Sequence, residues 1–320
     1  MSAPRVSVIV PARDAAHTLG AALDGLAAQR LDDPYEVIVV VDRASADDTV
    51  ELAERHPSGP CVVYRDGLAA GAARNLGVAA AAGSVLAFTD SDCVPSEDWL
   101  AAGLQAIATL DIVQGTVLAD PAAQAGRGPF DRTLEVLSEY GLYETANLFV
   151  RRELFDSLGG FEDLALADER PFGEDTDFVW RARRAGARVG FSDEAAVHHA
   201  VLPGSAADYV AERARRRYFP RLVKLVPELR DALLTHRVFL SERTAAFDLA
   251  VVATLAAGRR RSPLPLVLAT PYLLALRGSV TRWHPDPALA ARLTLAELAA
   301  DAVSFAALVR GSIETRTPVL

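Results

Sequence analysis

Short apolar runs alternate with helical segments along the N-terminal part of the chain, and this alternation limits the fold more than any other feature of the sequence. Strand-like runs occupy residues 6–10, 36–41, 61–64 and 85–88, and helix-like segments lie between them. The second run is almost continuously apolar, as expected of a strand that is covered on both faces. Strands that alternate with helices over short connections predict an α/β fold with a doubly wound, mostly parallel sheet.

Acidic side chains follow three of these runs, at the point where each predicted strand ends. Asp14 follows the first run, Asp42 the second, and Asp90 and Asp92 the fourth. In open parallel sheets, ligands bind beyond the carboxyl ends of the strands. We therefore expect these carboxylates to line one ligand-binding edge.

The segment Asp90-Ser-Asp92 is the strongest local indication of chemistry. Side chains two residues apart in an extended segment project to the same side, so the two carboxylates are expected to lie together. Hard oxygen ligands suit Mg²⁺ or Mn²⁺, and such an ion holds a diphosphate and neutralises its charge as it departs. On the residues alone, a solvated acidic turn stays open as the alternative.

A second acidic group, Glu174, Asp175 and Asp177, opens a predicted helix after Gly173. Acidic residues are common in a first helical turn because they interact favourably with the helix dipole. The functional alternative is a general base, since crowded carboxylates raise one another's pKa and so accept a proton more readily. Residues 162–173, just before this helix, are expected to form a loop that closes over an acceptor.

Charge and cysteine content exclude some classes of protein. The formal net charge of −9 argues against a general nucleic-acid binder, which must neutralise phosphates. Two cysteines, Cys61 and Cys93, are too few for a disulfide framework or a zinc cluster, and favour a reducing, cytoplasmic compartment. The apolar run at residues 6–10 is too short for a secretory signal, so we expect it to belong to the fold.

From about residue 205 the pattern is helical to the end of the sequence. The uncharged stretch 262–276 is shorter than the roughly 18 to 20 residues that span a bilayer, and it contains three prolines. Three arginines, residues 259–261, directly precede it. Two alternatives stay open: peripheral contact with an anionic membrane, at the inner face of the plasma membrane, or a helical hairpin packed on its own domain.

Taken together in their order along the chain, these segments resemble the family 2 glycosyltransferases, which have the GT-A fold. The matching segments are residues 6–14, 36–49, 71–77, 90–92, 147–152 and 159–162, and the pair Glu174-Asp175. The resemblance covers about residues 5 to 200. It implies a Rossmann-like catalytic domain over residues 1–204, with a donor-binding half (1–118) and an acceptor-side half (119–204), and a helical extension over 205–320.

The resemblance also implies a role for individual residues. Asp175 is the expected catalytic base. Donor contacts are expected from Pro11, Ala12, Asp14, Asp42, Arg74 and Asp90. The metal ligands are expected to be Asp92, Asp90 and His198, with His199 an equal candidate for the histidine. Glu174 and Asn147 are expected on the acceptor side.

The implied activity is metal-dependent, inverting transfer of a sugar from a nucleotide diphosphate donor to an acceptor hydroxyl, with Mn²⁺ or Mg²⁺ as cofactor. UDP-, GDP- and dTDP-sugars stay open as donors because residues 42–45 depart from the family pattern. The acceptor is a glycan, a lipid-linked molecule or a small molecule, as in cell-envelope or glycoconjugate biosynthesis. The Gln-X-X-Arg-Trp motif of processive members is absent, which favours transfer of single sugars.

Three other classes of protein compete with this interpretation. A dinucleotide-dependent dehydrogenase is disfavoured because no Gly-X-Gly-X-X-Gly motif follows the first strand. A nucleotidyltransferase should carry a glycine- and lysine-rich loop near the N-terminus, where this chain has Pro11-Ala-Arg-Asp-Ala-Ala. A non-catalytic, carbohydrate-binding homologue with the same fold stays open as the non-enzyme alternative.

Overall fold

A computed structural model of the chain describes residues 3–67, 69–124, 126–162, 164 and 172–320. It divides into two compact units, the first made of Met1–Gly126 and Thr133–Val201, the second of Arg127–Arg132 and Leu202–Leu320. This division lies near the predicted boundary at residue 204. The short segment Arg127–Arg132 joins the second unit because Arg132 and Leu202 exchange two backbone hydrogen bonds (2.9 and 2.8 Å). Nothing in the sequence indicated this excursion.

The first unit contains the sheet and the helices that cover it. Its strands are β1 Val6–Ala12, β2 Tyr35–Asp42, β3 Cys61–Arg65, β4 Val85–Thr89, β5 Cys93–Pro95, β6 Ile112–Ala119, β7 Asn147–Arg151 and β8 Val189–His199. Its helices are α1 Leu19–Ala27, α2 Thr49–Arg55, α3 Ala70–Ala80, α4 Trp99–Ile107, α5 Pro121–Gln124, α6 Arg152–Ser157 and α7 Glu174–Arg184.

Both faces of the sheet are buried, as the apolar run in β2 predicted. Val39 and Val41 pack on one side in the cluster that contains Leu23 of α1. Ile38 and Val40 pack on the other side in the cluster that contains Val78 of α3. Because successive side chains of a strand point to opposite faces, one continuous apolar run serves both layers. The doubly wound α/β class is confirmed.

Within the described residues the sheet has eight strands in the order β3-β2-β1-β4-β7-β6-β8-β5. The first four strands are parallel, β7 runs antiparallel to both β4 and β6, and β8 is parallel to β6. The sheet is therefore mixed in its second half. Because β7 runs antiparallel to both of its neighbours, β4 and β6 run in the same direction. The carboxyl ends of β1, β2, β4, β6 and β8 therefore all lie at one edge. That edge is where the predicted site residues lie.

The second unit is helical, as expected. Its helices are α8 Ala206–Glu212, α9 Phe219–Leu225, α10 Leu229–Ala232, α11 Glu242–Arg260, α12 Thr270–Thr281 and α13 Pro287–Thr315, with 3-10 segments at Arg213–Tyr218 and Leu264–Ala269. Arg243 of α11 binds Asp301 of α13 through its Nε and one terminal nitrogen, with the shortest contact at 2.6 Å. This partly buried pair holds α11 against α13.

The apolar stretch in the second unit extends beyond the uncharged residues 262–276. Leu264–Thr281 is the one segment of the described residues that is long and apolar enough to cross a membrane, judged by length and composition alone. Pro265 and Pro271 do not interrupt it, because each occupies the first turn of a helical segment. Proline is tolerated there because the first N–H groups of a helix have no partner within the helix.

Candidate active site

Asp90 and Asp92 lie at the carboxyl end of β4, but not in the extended segment that the sequence analysis assumed. The chain turns at Ser91 and Asp92, and the N–H of Cys93 donates to the carbonyl of Asp90 (3.1 Å). The two carboxylates still interact. Burial raises the pKa of Asp92, and the charge of Asp90 raises it further. The expected pairing of the two carboxylates thus occurs in a turn, where alternation of side chains does not apply.

His199, the last residue of β8, lies beside Asp92. Its Nε2 is 3.4 Å from Asp92 Oδ2, and the N–H of the following residue, Ala200, donates to the carbonyl of Asp92 (2.8 Å). His198 precedes it on the same strand, and adjacent strand residues point to opposite sides. The structure therefore favours His199 over the predicted His198 as the histidine next to the acidic turn.

The groups around Asp92 suit a divalent cation. One ligand atom each from Asp92, Cys93 and His199 lie within 4.8 Å of one another. Burial raises the pKa of the Cys93 thiol well above its ordinary value, and a soft sulfur ligand suits Mn²⁺ or Mg²⁺ less well than oxygen does. The remaining carboxylate and imidazole, with Asp90 adjacent, form a donor set that fits a hard or borderline divalent ion.

Arg74 of α3 joins the acidic turn to the start of α7. The side chain is buried, with one terminal nitrogen 2.7 Å from Asp90 Oδ1 and the other 3.7 Å from Glu174 Oε1. Burial alone lowers the pKa of this guanidinium, but the surrounding carboxylates, Asp90 first among them, hold the pKa above its ordinary value. One fixed positive charge therefore lies between the two acidic groups that the sequence analysis selected separately.

Two glycines in α3 allow this arrangement. A Cβ on Gly77 would lie 2.6 Å from Ile9 Cγ2, so its absence lets α3 approach β1 closely. A Cβ on Gly71 would lie 2.9 Å from the Cγ of Glu174, so its absence lets the first turn of α7 pack on α3. Real Cβ atoms essentially never approach other atoms this closely. Small residues thus bring Arg74 and Glu174 within reach of each other.

Asp175 is the partly buried carboxylate next to this pair. Its Oδ1 accepts a hydrogen bond from the N–H of Thr176 (2.8 Å), and its Oδ2 accepts one from the N–H of Thr145 (3.4 Å). Burial, together with the neighbouring charge of Glu174, raises the pKa of Asp175 to about 7, and Arg74 limits the rise. A carboxylate with a pKa near neutrality is suited to proton transfer at physiological pH.

The loops after β1 and β2 meet at the same sheet edge. Asp42 is fully buried, and its Oδ1 accepts hydrogen bonds from the N–H groups of Ala44 (2.9 Å) and Gly67 (3.2 Å). Its Oδ2 lies 3.2 Å from a terminal nitrogen of Arg13, whose side chain is half exposed. The structure thus places Asp42, one of the expected donor contacts, under an arginine that covers it.

Pro11, Ala12 and Asp14 lie at the end of β1, beside this loop. Asp14 adopts a left-handed backbone conformation (φ 48°), and its Oδ1 accepts a hydrogen bond from the N–H of Ala46 (2.7 Å). This contact fixes the turn after β1 to the turn after β2. The donor contacts that the resemblance assigns to these residues stay predictions.

The sequence profile of the family described as "Glycosyl transferase family 2" matches residues 7–160. This range contains the carboxyl ends of β1 and β2, Arg74 and the Asp90–Asp92 turn. Residues 7–160, about half of the chain, therefore match glycosyltransferase family 2. The expected transferase class is therefore confirmed.

Relatives of this glycosyltransferase share sequence beyond the matched range. Glycosyltransferase AglE of Haloferax volcanii is 28% identical over 212 residues, which are 62% of this chain and 68% of AglE. Among solved structures, the mannosyltransferase PcManGT from Pyrobaculum calidifontis, in complex with GDP-Man and Mn²⁺, is 23% identical with a TM-score of 0.55, covering 99% of this chain and 88% of its own.

A second solved structure supports the same fold. Residues 1–349 of S. aureus TarS, in complex with UDP-GlcNAc, are 20% identical with a TM-score of 0.51, covering 98% of this chain and 92% of that one. At these identities the likeness concerns the fold alone. The GT-A fold expected from the resemblance is confirmed.

Asn147 does not lie where an acceptor-side residue of this glycosyltransferase would touch its ligand. Its side chain is fully buried; the amide nitrogen donates to the carbonyls of Thr116 (2.8 Å) and Ala195 (2.7 Å), and the amide oxygen accepts from the indole N–H of Trp99 (2.8 Å). Because both amide protons are used inside the protein, Asn147 ties β6, β7 and β8 to α4. It supports the site from within the sheet.

Glu144 is a carboxylate near Asp175 that the sequence analysis missed. Burial, with a further contribution from the charge of Asp175, raises its pKa to about 8. The hydroxyl of Tyr140 donates to its Oε1, while its Oε2 is buried with no hydrogen-bond partner among the described residues. A lone glutamate in an irregular segment has no spacing that could have indicated this position.

Proposed function

We propose that this glycosyltransferase moves one sugar per catalytic cycle from a nucleotide diphosphate donor to an acceptor hydroxyl, with inversion at the anomeric carbon. The observation that carries the proposal is the contact of Arg74 with both Asp90 and Glu174. It brings the Asp90–Asp92 turn and the start of α7, which carries the candidate base, together at the carboxyl edge of the sheet. Inversion by a single displacement needs those two functions on opposite sides of one sugar.

The donor lies, on this proposal, across the ends of β1, β2 and β4. Pro11, Ala12 and Asp14 lie beside the proposed position of base and ribose, the buried Asp42 acts there through Arg13, and Arg74 with Asp90 lies nearer the diphosphate. The fold neighbours bind different donors, GDP-Man in PcManGT and UDP-GlcNAc in TarS. The proposed donor is therefore one of a class, the UDP-, GDP- and dTDP-sugars, without a choice of nucleotide.

A divalent cation, Mn²⁺ or Mg²⁺, is the proposed cofactor, and Asp92 and His199 would hold it with Asp90 adjacent. When bound, such an ion neutralises negative charge on a diphosphate leaving group. Within this chain, Asp92 and His199 provide the ligand atoms, and Arg74 adds a fixed positive charge beside Asp90. The mixed carboxylate and imidazole set is the feature that supports the assignment.

Asp175 is the proposed general base. It accepts the proton of the acceptor hydroxyl while that oxygen forms a bond to the anomeric carbon. The bond from that carbon to the diphosphate oxygen breaks on the opposite face, and the leaving group departs as a nucleoside diphosphate. The pKa of Asp175 is raised to about 7. This value supports the role, because the carboxylate then holds the proton taken from the acceptor hydroxyl more firmly.

The acceptor is proposed to be a hydroxyl of a glycan, a lipid-linked molecule or a small molecule, approached from the side of Glu174 and Asp175. The loop predicted to close over it falls mostly outside the described residues, since 163 and 165–171 are not among them. Single-sugar transfer, rather than polymer synthesis, follows from the sequence alone and stays part of the proposal.

The test is product analysis with a panel of nucleotide sugars, Mn²⁺ and simple sugar acceptors. We expect release of nucleoside diphosphate and a product whose anomeric configuration, read by NMR, is opposite to the donor's. Asp175→Asn should lower the transfer rate by about 10²- to 10⁴-fold, the usual contribution of a general base, with donor binding retained. The exposed Asp193→Asn is the matched control and should transfer normally.

Two results would reject the proposal. Formation of inorganic pyrophosphate from a nucleoside triphosphate and a sugar phosphate would identify a nucleotidyltransferase instead. Full transfer activity in the Asp175→Asn variant would remove the base from Asp175.

A further inference from the structure

The second unit presents an apolar surface formed by α11, the 3-10 segment Leu264–Ala269 and α12. We propose that this surface, with the arginines beside it, binds the anionic face of a membrane and holds the enzyme there peripherally. It is called the apolar tip below. Its most exposed members are between 58% and 78% exposed: Val252, Leu255, Leu264, Val267, Leu273 and Leu274.

The tip is built from the outward faces of helices whose inward faces are already packed. Tyr272 and Leu276 of α12 are buried in a cluster with Ala250 of α11, and the rings of Phe247 and Tyr272 meet at 5.1 Å. Val252 and Leu255, three residues apart, lie on the other side of α11. Several exposed aliphatic side chains so close together in one hairpin mark a binding surface rather than scattered surface residues.

The charge around the tip is opposite to that of the whole chain. Residues 249–285 contain five arginines and neither Asp nor Glu, whereas the full sequence carries a net charge of −9. Arg259, Arg260 and Arg261 are exposed at the turn between α11 and the 3-10 segment, and Arg277 is exposed on α12. Among the described residues these four arginines have no ion-pair partner, so their charge is available to an anionic surface.

Apolar side chains with adjacent arginines suit a membrane surface better than a second copy of the chain. In a two-fold dimer formed through the tip, the arginines of both copies would come together and repel one another. Anionic lipid headgroups instead attract each arginine, and each such contact raises membrane partitioning roughly fivefold. The aliphatic side chains enter the membrane interface at the same time. The cytoplasmic leaflet carries such lipids, which fits the cytoplasmic location expected from the cysteine content.

The geometry favours lying on the membrane over crossing it. Leu264–Thr281 has the length of a span, but Arg277 lies within it, and Tyr272, Leu276 and Val280 pack inside the unit. Crossing the bilayer would expose these packed residues and place a charge in the hydrocarbon, which is costly. A peripheral position keeps the packed face intact and needs only the outward face.

Vesicle flotation tests the proposal with the full chain. We expect binding to phosphatidylcholine vesicles that contain about 30 mol% phosphatidylglycerol, and much weaker binding to phosphatidylcholine alone. Raising the salt from about 0.1 M to about 0.5 M should weaken binding, because exposed charges are then screened. Binding of equal strength to both vesicle types at both salt concentrations would contradict the role of the arginines.

Two sets of variants separate the apolar and the basic contributions. Val252→Gln/Leu255→Gln should lower vesicle partitioning at least tenfold, since burial of each aliphatic side chain is lost. Ile313→Gln is the matched control, because Ile313 is 73% exposed but lies near the end of α13. The chain end that follows α13 bonds to the start of α11, the end farthest from the tip, through Leu320 and Thr244.

Replacement of Arg259, Arg260 and Arg261 by Gln should lower partitioning into anionic vesicles by roughly a hundredfold at low salt. The control replaces three exposed arginines of the first unit, Arg5, Arg30 and Arg55, and gives the same net charge. Equal loss in both triple variants would show that only net charge matters and would overturn the proposal. So would absence of vesicle binding together with a dimer, measured by light scattering, that the tip variants dissociate.

Discussion

Arg74 lies between carboxylates of two different segments, and its charge limits how far the pKa of Asp175 can rise. Glu174 works in the other direction, because its negative charge raises that pKa toward 7. Burial makes the largest contribution to this raised pKa, and the buried cation of Arg74 and the adjacent anion of Glu174 shift it in opposite directions. Each can be changed without removing the base itself.

The acid side of the pH–rate profile should report Asp175. A general base must be deprotonated, so kcat should fall as the pH drops below about 7. Glu174→Gln removes the charge that raises the pKa of Asp175 and leaves Arg74 to act more strongly on it. The acid limb of kcat should then move to lower pH.

The exposed Glu153→Gln, in α6, is the control for this experiment. Its profile should match that of the unmodified enzyme. An acid limb that stays in place or moves to higher pH in Glu174→Gln would contradict the assignment of that limb to Asp175.

Replacing the proposed base should stabilise the protein at alkaline pH. The pKa of Asp175 is raised from 3.8 to about 7 on folding, so its contribution to stability is full below about 4 and is lost as the pH rises through about 7. Asp175→Asn never carries the buried charge. At pH 8 its free energy of unfolding should exceed that of the unmodified protein by at least about 1 kcal/mol.

Urea unfolding at several pH values measures this difference. The advantage of Asp175→Asn should shrink as the pH falls toward 5, where the unmodified carboxyl is protonated in the folded state. A difference that does not change with pH would mean that the substitution acts through packing rather than charge.

The carboxylates that the sequence singled out lie around Arg74 in the structure, but their local geometry was not always predicted. The Asp90–Asp92 pair and Glu174-Asp175 were found from spacing and order. Alternation along a strand did not apply to the first pair, which lies in a turn. The choice between His198 and His199 depends on how β8 pairs with β5, and that register is set by contacts far apart in sequence.

At the scale of elements, the contact between α3 and α7 positions the base. Gly71→Ala would place a Cβ 2.9 Å from the Cγ of Glu174, so the Glu174 side chain, which lies beside Arg74 and Asp175, must shift. We expect kcat to fall at least tenfold, since small displacements of a catalytic group are costly, while nucleoside diphosphate binds nearly as before. Steady-state kinetics and calorimetric titration measure the two effects.

Gly278→Ala in α12 is the matched control, because nothing lies within 4 Å of a Cβ there. It should leave kcat unchanged and stabilise the helix by up to about 1 kcal/mol, because alanine favours the helix. Equal kcat in Gly71→Ala and Gly278→Ala would show that the approach of α7 to α3 does not position the base.

The parallel half of the sheet could be predicted because each of its strands is a local run of β-branched residues between helices. Residues 147–152 were matched to the family pattern, but no local feature indicated that β7 reverses direction. Its antiparallel pairing with β4 and β6 depends on the route of the intervening chain, which no local pattern encodes. The buried role of Asn147, at the start of β7, was missed for the same reason.

At the scale of the whole molecule, the sequence separated a sheet-containing part from a helical part, and the structure has both as compact units. Nothing in the composition indicated that Arg127–Arg132 belongs to the second unit. Charge is divided unevenly as well, with an arginine-rich apolar tip on a chain of net charge −9. We interpret this division as catalysis in the first unit and attachment in the second.

The claim on which the account rests is that the acidic turn after β4 and the first turn of α7 act on one donor. A crystal structure with Mn²⁺ and a nucleoside diphosphate, recorded at a wavelength where manganese scatters anomalously, tests it most directly. We expect an anomalous peak about 2 Å from a carboxylate oxygen of Asp92, with the terminal phosphate facing Asp175 across a space the size of one sugar. A peak away from Asp92 and His199, or a diphosphate with Asp175 on its far side, would contradict the account.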